Sequence, residues 1–98
     1  MPYQLPLPKS LSRWKVKILD NELLFEEPHV TIVFKTELWR FGLRSRTFLD
    51  AHPRPGRVPK GLMQEITANF DTLCDEWDAR FPTNTISPAL EEEEEEKQ

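Results

Sequence analysis

His29 is the side chain in this sequence best suited to moving a proton near neutral pH, because imidazole is the side chain that ordinarily titrates there. It stands in the stretch EEPHVTIVF, between two glutamates and an apolar run, with Lys35, Arg40, Arg44 and Arg46 following within the next 17 residues. A neutral imidazole among arginines can act as a general base toward a ribose 2′-hydroxyl. The guanidinium groups of Arg40, Arg44 and Arg46 would then hold the phosphate and the charge of its transition state. The plainer alternative is that His29 opens a strand and bonds to local backbone. His52 lies in a Pro-rich stretch and reads as an exposed loop side chain.

Other chemistry finds less support. Two His residues 23 positions apart and one cysteine, Cys74, lack metal-ligand spacing, so no metal or other cofactor is expected. Cys74 follows Leu73 beside an apolar stripe, which suits a small, partly buried side chain better than a reactive thiolate. Asp71, Asp75 and Asp78 share one side of a helix at spacings of four and three, the pattern of a solvated face. The three glycines, Gly42, Gly56 and Gly61, are too scattered to form a phosphate loop.

The basic residues are the stronger signal. The net charge is −4, yet the run Glu91 to Glu96 carries six negative charges against the single lysine Lys97. Residues 1–90 hold 12 basic and 11 acidic side chains, and these are segregated. Between Lys35 and Lys60 the balance is +5, whereas between Leu62 and Arg80 it is −4, so a basic and an acidic side are expected. Arginine dominates the basic stretch at Arg40, Arg44, Arg46, Arg54 and Arg57. Its planar fork pairs with phosphate and carboxylate alike, so these residues, with Lys15 and Lys17, are candidates to grip RNA or an acidic protein segment.

Elements that would position these groups follow from hydrophobic periodicity. Trp14, Val16 and Ile18 alternate with Arg13, Lys15 and Lys17, the period of a half-buried strand. HVTIVF is β-branched and aromatic, and Trp39, Phe41 and Leu43 alternate with Arg40, Gly42 and Arg44. A short fourth strand is a candidate at 47–49. The stretch 50–61 contains Pro53, Pro55 and Pro59 and reads as a loop. Leu62, Ile66, Phe70, Leu73, Trp77 and Phe81 then recur at helical spacing, which predicts one helix over 62–81 ended by Pro82.

The expected fold is α+β: a three- to four-stranded antiparallel sheet covered on one face by an amphipathic helix. Residues 1–12 are expected to be a Pro-rich arm, 13–82 one α+β domain, and 83–98 a disordered acidic tail. Strand alternation places Arg13, Lys15, Lys17, His29, Thr31, Lys35, Arg40 and Arg44 on the open face. No apolar run approaches the roughly 20 residues needed to span a bilayer, so a cytoplasmic protein without membrane contact is expected.

The strand EEPHVTIVF and the helix LMQEITANFDTLCDEWDARFP together resemble a small bacterial family of unknown function. Its members carry a Pro-Pro-His-x-His-Val strand and a Trp-containing helix. The resemblance spans about residues 13–82, with Pro28, His29 and Val30 on the strand motif and Ile66, Asn69, Leu73 and Trp77 near the helix motif. Glu27 stands in place of the first Pro and Thr31 in place of the second His. The resemblance implies a toxin-like member of a toxin–antitoxin module, a metal-independent ribonuclease partnered by a cognate antitoxin-like protein. The competing reading is a non-catalytic module that binds an acidic partner through its basic sheet face, with self-association left open.

Overall fold

The computed structural model describes residues 3–19 and 27–86. The acidic run Glu91–Glu96 lies outside the described residues. Four antiparallel strands form one sheet in sequential order: β1 (Tyr3–Gln4), β2 (Trp14–Ile18), β3 (His29–Phe34) and β4 (Glu37–Gly42). Two helices follow, α1 (Lys60–Ala68) and α2 (Phe70–Arg80), with single 3₁₀ turns at Lys9–Leu11 and Pro55–Arg57. The α+β class is as the alternation requires. The fourth strand, however, comes from the Pro-rich arm and not from 47–49.

The arm docks through two observable links. Tyr3 and Gln4 pair with Ile18 and Lys17, and the Leu5 amide donates to the Val16 carbonyl at 2.8 Å while its side chain enters the core. The segment 47–49 instead lies along β4: Phe48 forms an isolated bridge with Phe41, and the Leu49 amide bonds to the Arg40 carbonyl at 2.9 Å.

Register fixes which side chains share a face, because directly opposed residues point the same way. Val16 opposes Ile32, Ile32 opposes Trp39, and Trp14 opposes Phe34. This face is the core side. Val16, Ile18, Val30, Ile32 and Trp39 are fully buried there, in one cluster with Leu62, Ile66, Leu73 and Trp77 of the helices. Burial of each Leu, Ile or Val side chain contributes about 1.5–3 kcal/mol. The strand aromatics also belong to this side: Trp14 stacks on Phe34 at 4.4 Å, and Phe41 meets Phe48 edge-on at 5.2 Å.

The helical stripe is broken once. Asn69 leaves helical geometry, with φ −112° and ψ 21°, so the single helix expected over 62–81 is two. The cause is local competition: the Asn69 side-chain amide donates to the Glu65 carbonyl at 2.8 Å, beside its own backbone N–H. Apolar contact continues across the break, since Leu62, Ile66, Leu73 and Trp77 are all buried.

Candidate functional site

His29 does not stand on an open surface. It is 1 % exposed, its Nδ1 donates to the Glu27 carbonyl at 2.7 Å, and its ring lies 5.5 Å from that of Trp77. Thr31, expected beside it on the open face, is also buried. Sequence alternation misplaced both because it sees the strand and not what packs over its first half. The expected general base is thus a packed side chain anchored to backbone, not one displayed on an open face. His52 is exposed in the loop.

Most of the arginines are engaged within the fold. Arg40 makes a two-point ion pair with Asp50, Nε to Oδ2 at 3.0 Å and NH2 to Oδ1 at 2.8 Å. The hydrogen bonds from Arg40 hold the Asp50 carboxyl below its ordinary range, against the opposing effect of burial. Arg57 pairs with Glu37, tying the Pro-rich loop to β4, and the Arg54 carbonyl accepts the indole N–H of Trp39 at 3.1 Å. Arg46 lies over the Phe70 ring at 4.4 Å. The side-chain contacts of Arg40, Arg46 and Arg57 redirect residues expected to be ligand clamps into holding loop, strand and helix together.

Arg44 is the most committed of them. Its Nε donates to the Ile86 carbonyl at 2.8 Å, and its NH2 donates to Asn84 Oδ1 and to the Thr85 carbonyl. The Ile86 amide in turn donates to Asp78 Oδ1 at 2.9 Å, and the Trp77 indole donates to the Asn84 carbonyl at 2.8 Å. Residues 83–86, expected to begin a disordered tail, therefore include a segment strapped to α2. The anticipated separation into a basic and an acidic side is corrected as well: Arg44 and Arg46 line one cleft of about 450 Å³ with Asp71, Asp75 and Asp78. Opposite charges there face each other.

Cys74 lines the same cleft, and its thiol is pushed up to about 11, first by burial and then by Asp78 and Asp71. At neutral pH it is a thiol and a poor nucleophile. Among the described residues, no group of three or more His, Cys, Asp and Glu side chains is placed to hold a metal ion, and no helix is long and apolar enough to cross a membrane.

What stays accessible is the far half of the sheet face opposite the core. Lys15 opposes Val33, and Val33 opposes Leu38, so the three form one row across β2, β3 and β4. Lys15 is exposed, Val33 is half-buried, and Leu38 is 47 % exposed, the large hydrophobic side chain left open to water among the described residues. The next row is Lys17, Thr31 and Arg40. At the end of β2 and β3, Ser12, Arg13, Lys15, Val33, Phe34 and Lys35 line a cleft of about 390 Å³. Charge marks Lys15 and Lys17 in the sequence, whereas Leu38 carries no such signal beyond its place between Glu37 and Trp39, which puts it on the outward side of β4. No family model matches the chain, and neither a curated protein nor a solved structure matches it.

Proposed function

We propose that this protein is a non-catalytic interaction module whose accessible sheet face receives an acidic polypeptide segment. The observation carrying this reading is the row Lys15–Val33–Leu38, an ammonium group beside an uncovered apolar floor, with Lys17 in the adjacent row. An acidic segment would place carboxylates on Lys15, Lys17 and Arg13 and an apolar side chain on Leu38. The lysines would contribute on-rate and orientation, and the apolar contact residence time.

The same face offers little to unpaired RNA bases. Single-stranded RNA is usually held by aromatic rings on which bases stack. Here Trp14, Phe34, Trp39 and Phe41 alternate onto the core side of the sheet, and of these four Phe34 alone lines the cleft beside Lys15. The burial of His29 likewise removes the side chain around which a ribonuclease reading was built.

The test is titration of a fluorescent oligoglutamate peptide containing one leucine, and separately of a single-stranded RNA. Both are measured on the full chain with Glu91 to Glu96 each changed to Gln, which keeps its own polyanion from competing. Peptide binding should weaken about tenfold with Lys15→Glu plus Lys17→Glu and severalfold with Leu38→Ser. Binding of RNA without the peptide would replace this reading with an RNA-associated one. Binding of neither at low salt would sink it.

A further inference from the structure

The cleft at the end of β2 and β3 gathers charge of one sign. Trp14 opposes Phe34, so Arg13 and Lys35, the residues flanking that pair, stand at the same end of the sheet. With Lys15 they set three cations around a cleft of about 390 Å³, whose other lining residues are Ser12, Val33 and Phe34. Among the described residues, no carboxylate lines it. Elsewhere in the fold arginines meet carboxylates: Arg40 holds Asp50, Arg57 holds Glu37 and Arg80 holds Glu76. Arg13, Lys15 and Lys35 are all exposed, and like charges so placed repel one another.

Lys35 is kept there at a conformational cost. With Thr36 it makes the two-residue turn between β3 and β4, and its φ of 56° lies in the left-handed region. Glycine and asparagine occupy that region readily, and lysine does not. Backbone strain of this kind collects where a side chain is needed for binding. The lysine here supplies a seated cation: its Nζ lies 5.3 Å from the centre of the Phe34 ring, which is itself stacked on Trp14 at 4.4 Å.

We infer that this cleft binds a phosphomonoester carried by the acidic segment, a phosphorylated side chain in place of one carboxylate. This rests on the proposed function and names a group that the partner presents. A carboxylate brings a single charge. A phosphomonoester brings about −1.5 to −2 at neutral pH and three acceptor oxygens, enough for one charge-assisted bond each to Arg13, Lys15 and Lys35. The backbone of a nucleic acid offers one charge per phosphodiester, a poorer match to three cations in one cleft. From Lys15 to Leu38 the row crosses two strand spacings, about 10 Å, which about three extended residues cover. The phosphorylated residue should therefore stand three positions from the apolar side chain that meets Leu38.

The experiment titrates the native full chain with two fluorescent peptides: an oligoglutamate containing one leucine, and the same peptide with phosphoserine three residues before and three residues after that leucine. The phosphopeptide should bind at least about tenfold tighter at physiological salt. Arg13→Gln and Lys35→Asn should each remove most of the gain, whereas Lys17→Gln, in the neighbouring row, should weaken both peptides alike. Lys35→Asn should also keep a urea midpoint no lower than that of the native chain, because asparagine accepts the left-handed turn, so its lost binding is not lost folding. Equal affinity for the two peptides would overturn the inference and leave the proposed function standing. A gain that survives Arg13→Gln combined with Lys35→Asn would overturn it by placing the phosphate elsewhere. Single-stranded RNA bound more tightly than the phosphopeptide, and released by the same two substitutions, would overturn it in favour of phosphodiesters. Binding of the phosphopeptide alone would uphold the cleft and remove the reading of a face for carboxylates. Binding of neither, in the native chain and with Glu91 to Glu96 changed to Gln, would remove both.

Discussion

Gly42 leaves open the space that the carboxylate of Glu27 fills: a Cβ built on Gly42 would lie 2.4 Å from Glu27 Oε2 and 2.5 Å from Ser45 Oγ. Glu27 Oε2 also accepts the Ser45 backbone N–H at 2.7 Å, so this glycine lets the residue before Pro28 clamp the turn after β4. Gly42→Ala should expel the carboxylate and lose that bond, costing about 1–3 kcal/mol. Urea unfolding measures it. Gly56→Ala, where an added Cβ meets nothing within 4 Å, should change stability by less than about 0.5 kcal/mol.

Acid should loosen the fold through two carboxylates. Asp50 is held low by the hydrogen bonds of Arg40, and Glu27, which burial pushes up, is held low because hydrogen bonds from Ser45 and the Arg44 backbone, with the Arg44 charge, together outweigh that push. A carboxyl whose folded pKa is depressed adds stability above its unfolded value, and that stability is lost as pH falls through the folded value. The decline should therefore begin near the unfolded values of 4.5 for Glu27 and 3.8 for Asp50 and continue below them. Asp50→Asn should flatten part of this slope and cost about 1 kcal/mol at pH 7, a modest figure because the Arg40 side chain is 35 % exposed and partly screened. Thermal unfolding between pH 2.5 and 7 measures both.

His29→Ala should destabilise the protein by about 2–4 kcal/mol, since it removes a buried ring from Trp77 and leaves the Glu27 carbonyl without its donor. Denaturant unfolding provides the number. A variant as stable as the native chain would mean that the imidazole is not part of the core. Loss of any cellular effect in this variant must be read against the loss of folded protein.

Arg44→Ala should release the strap while sparing the sheet. Hydrogen exchange at the Ile86 amide should accelerate by at least about tenfold, while amides of β3 exchange near their native rates. Global stability should fall by no more than about 1.5 kcal/mol, because Arg44 is exposed and its bonds compete with water. Equal protection of Ile86 in both proteins would assign the anchoring to Asp78 and Trp77 alone.

The parts legible in the sequence were those set by local period. Val16, Ile18, Val30, Ile32 and Trp39 announce the core side of three strands, and Leu62 to Trp77 announce the helical stripe. Asn69 escapes that reading because the stripe runs through it unbroken, and only its side-chain bond to Glu65 shows the interruption. The two-residue strand β1 is too short to carry a period and is defined by its partner. The site was less legible for the same reason at longer range. His29 is buried by Trp77, 48 positions away, and Arg44 is engaged by Asn84, Thr85 and Ile86, 40 to 42 positions on. A run of arginines records charge, but whether each faces solvent or a carbonyl is decided by distant segments.

β4 lies at the margin of the sheet, where unpaired backbone groups would invite another chain to add a strand. The segment 47–49 closes that opportunity. The Gly42 amide donates to the Thr47 carbonyl at 2.8 Å, the Leu49 amide to the Arg40 carbonyl at 2.9 Å, and Phe48 sets its ring edge-on to Phe41. A stretch too irregular to count as a strand thus acts as a selvedge along the Arg40–Gly42 part of this border, occupying backbone groups on which a fibril could otherwise grow.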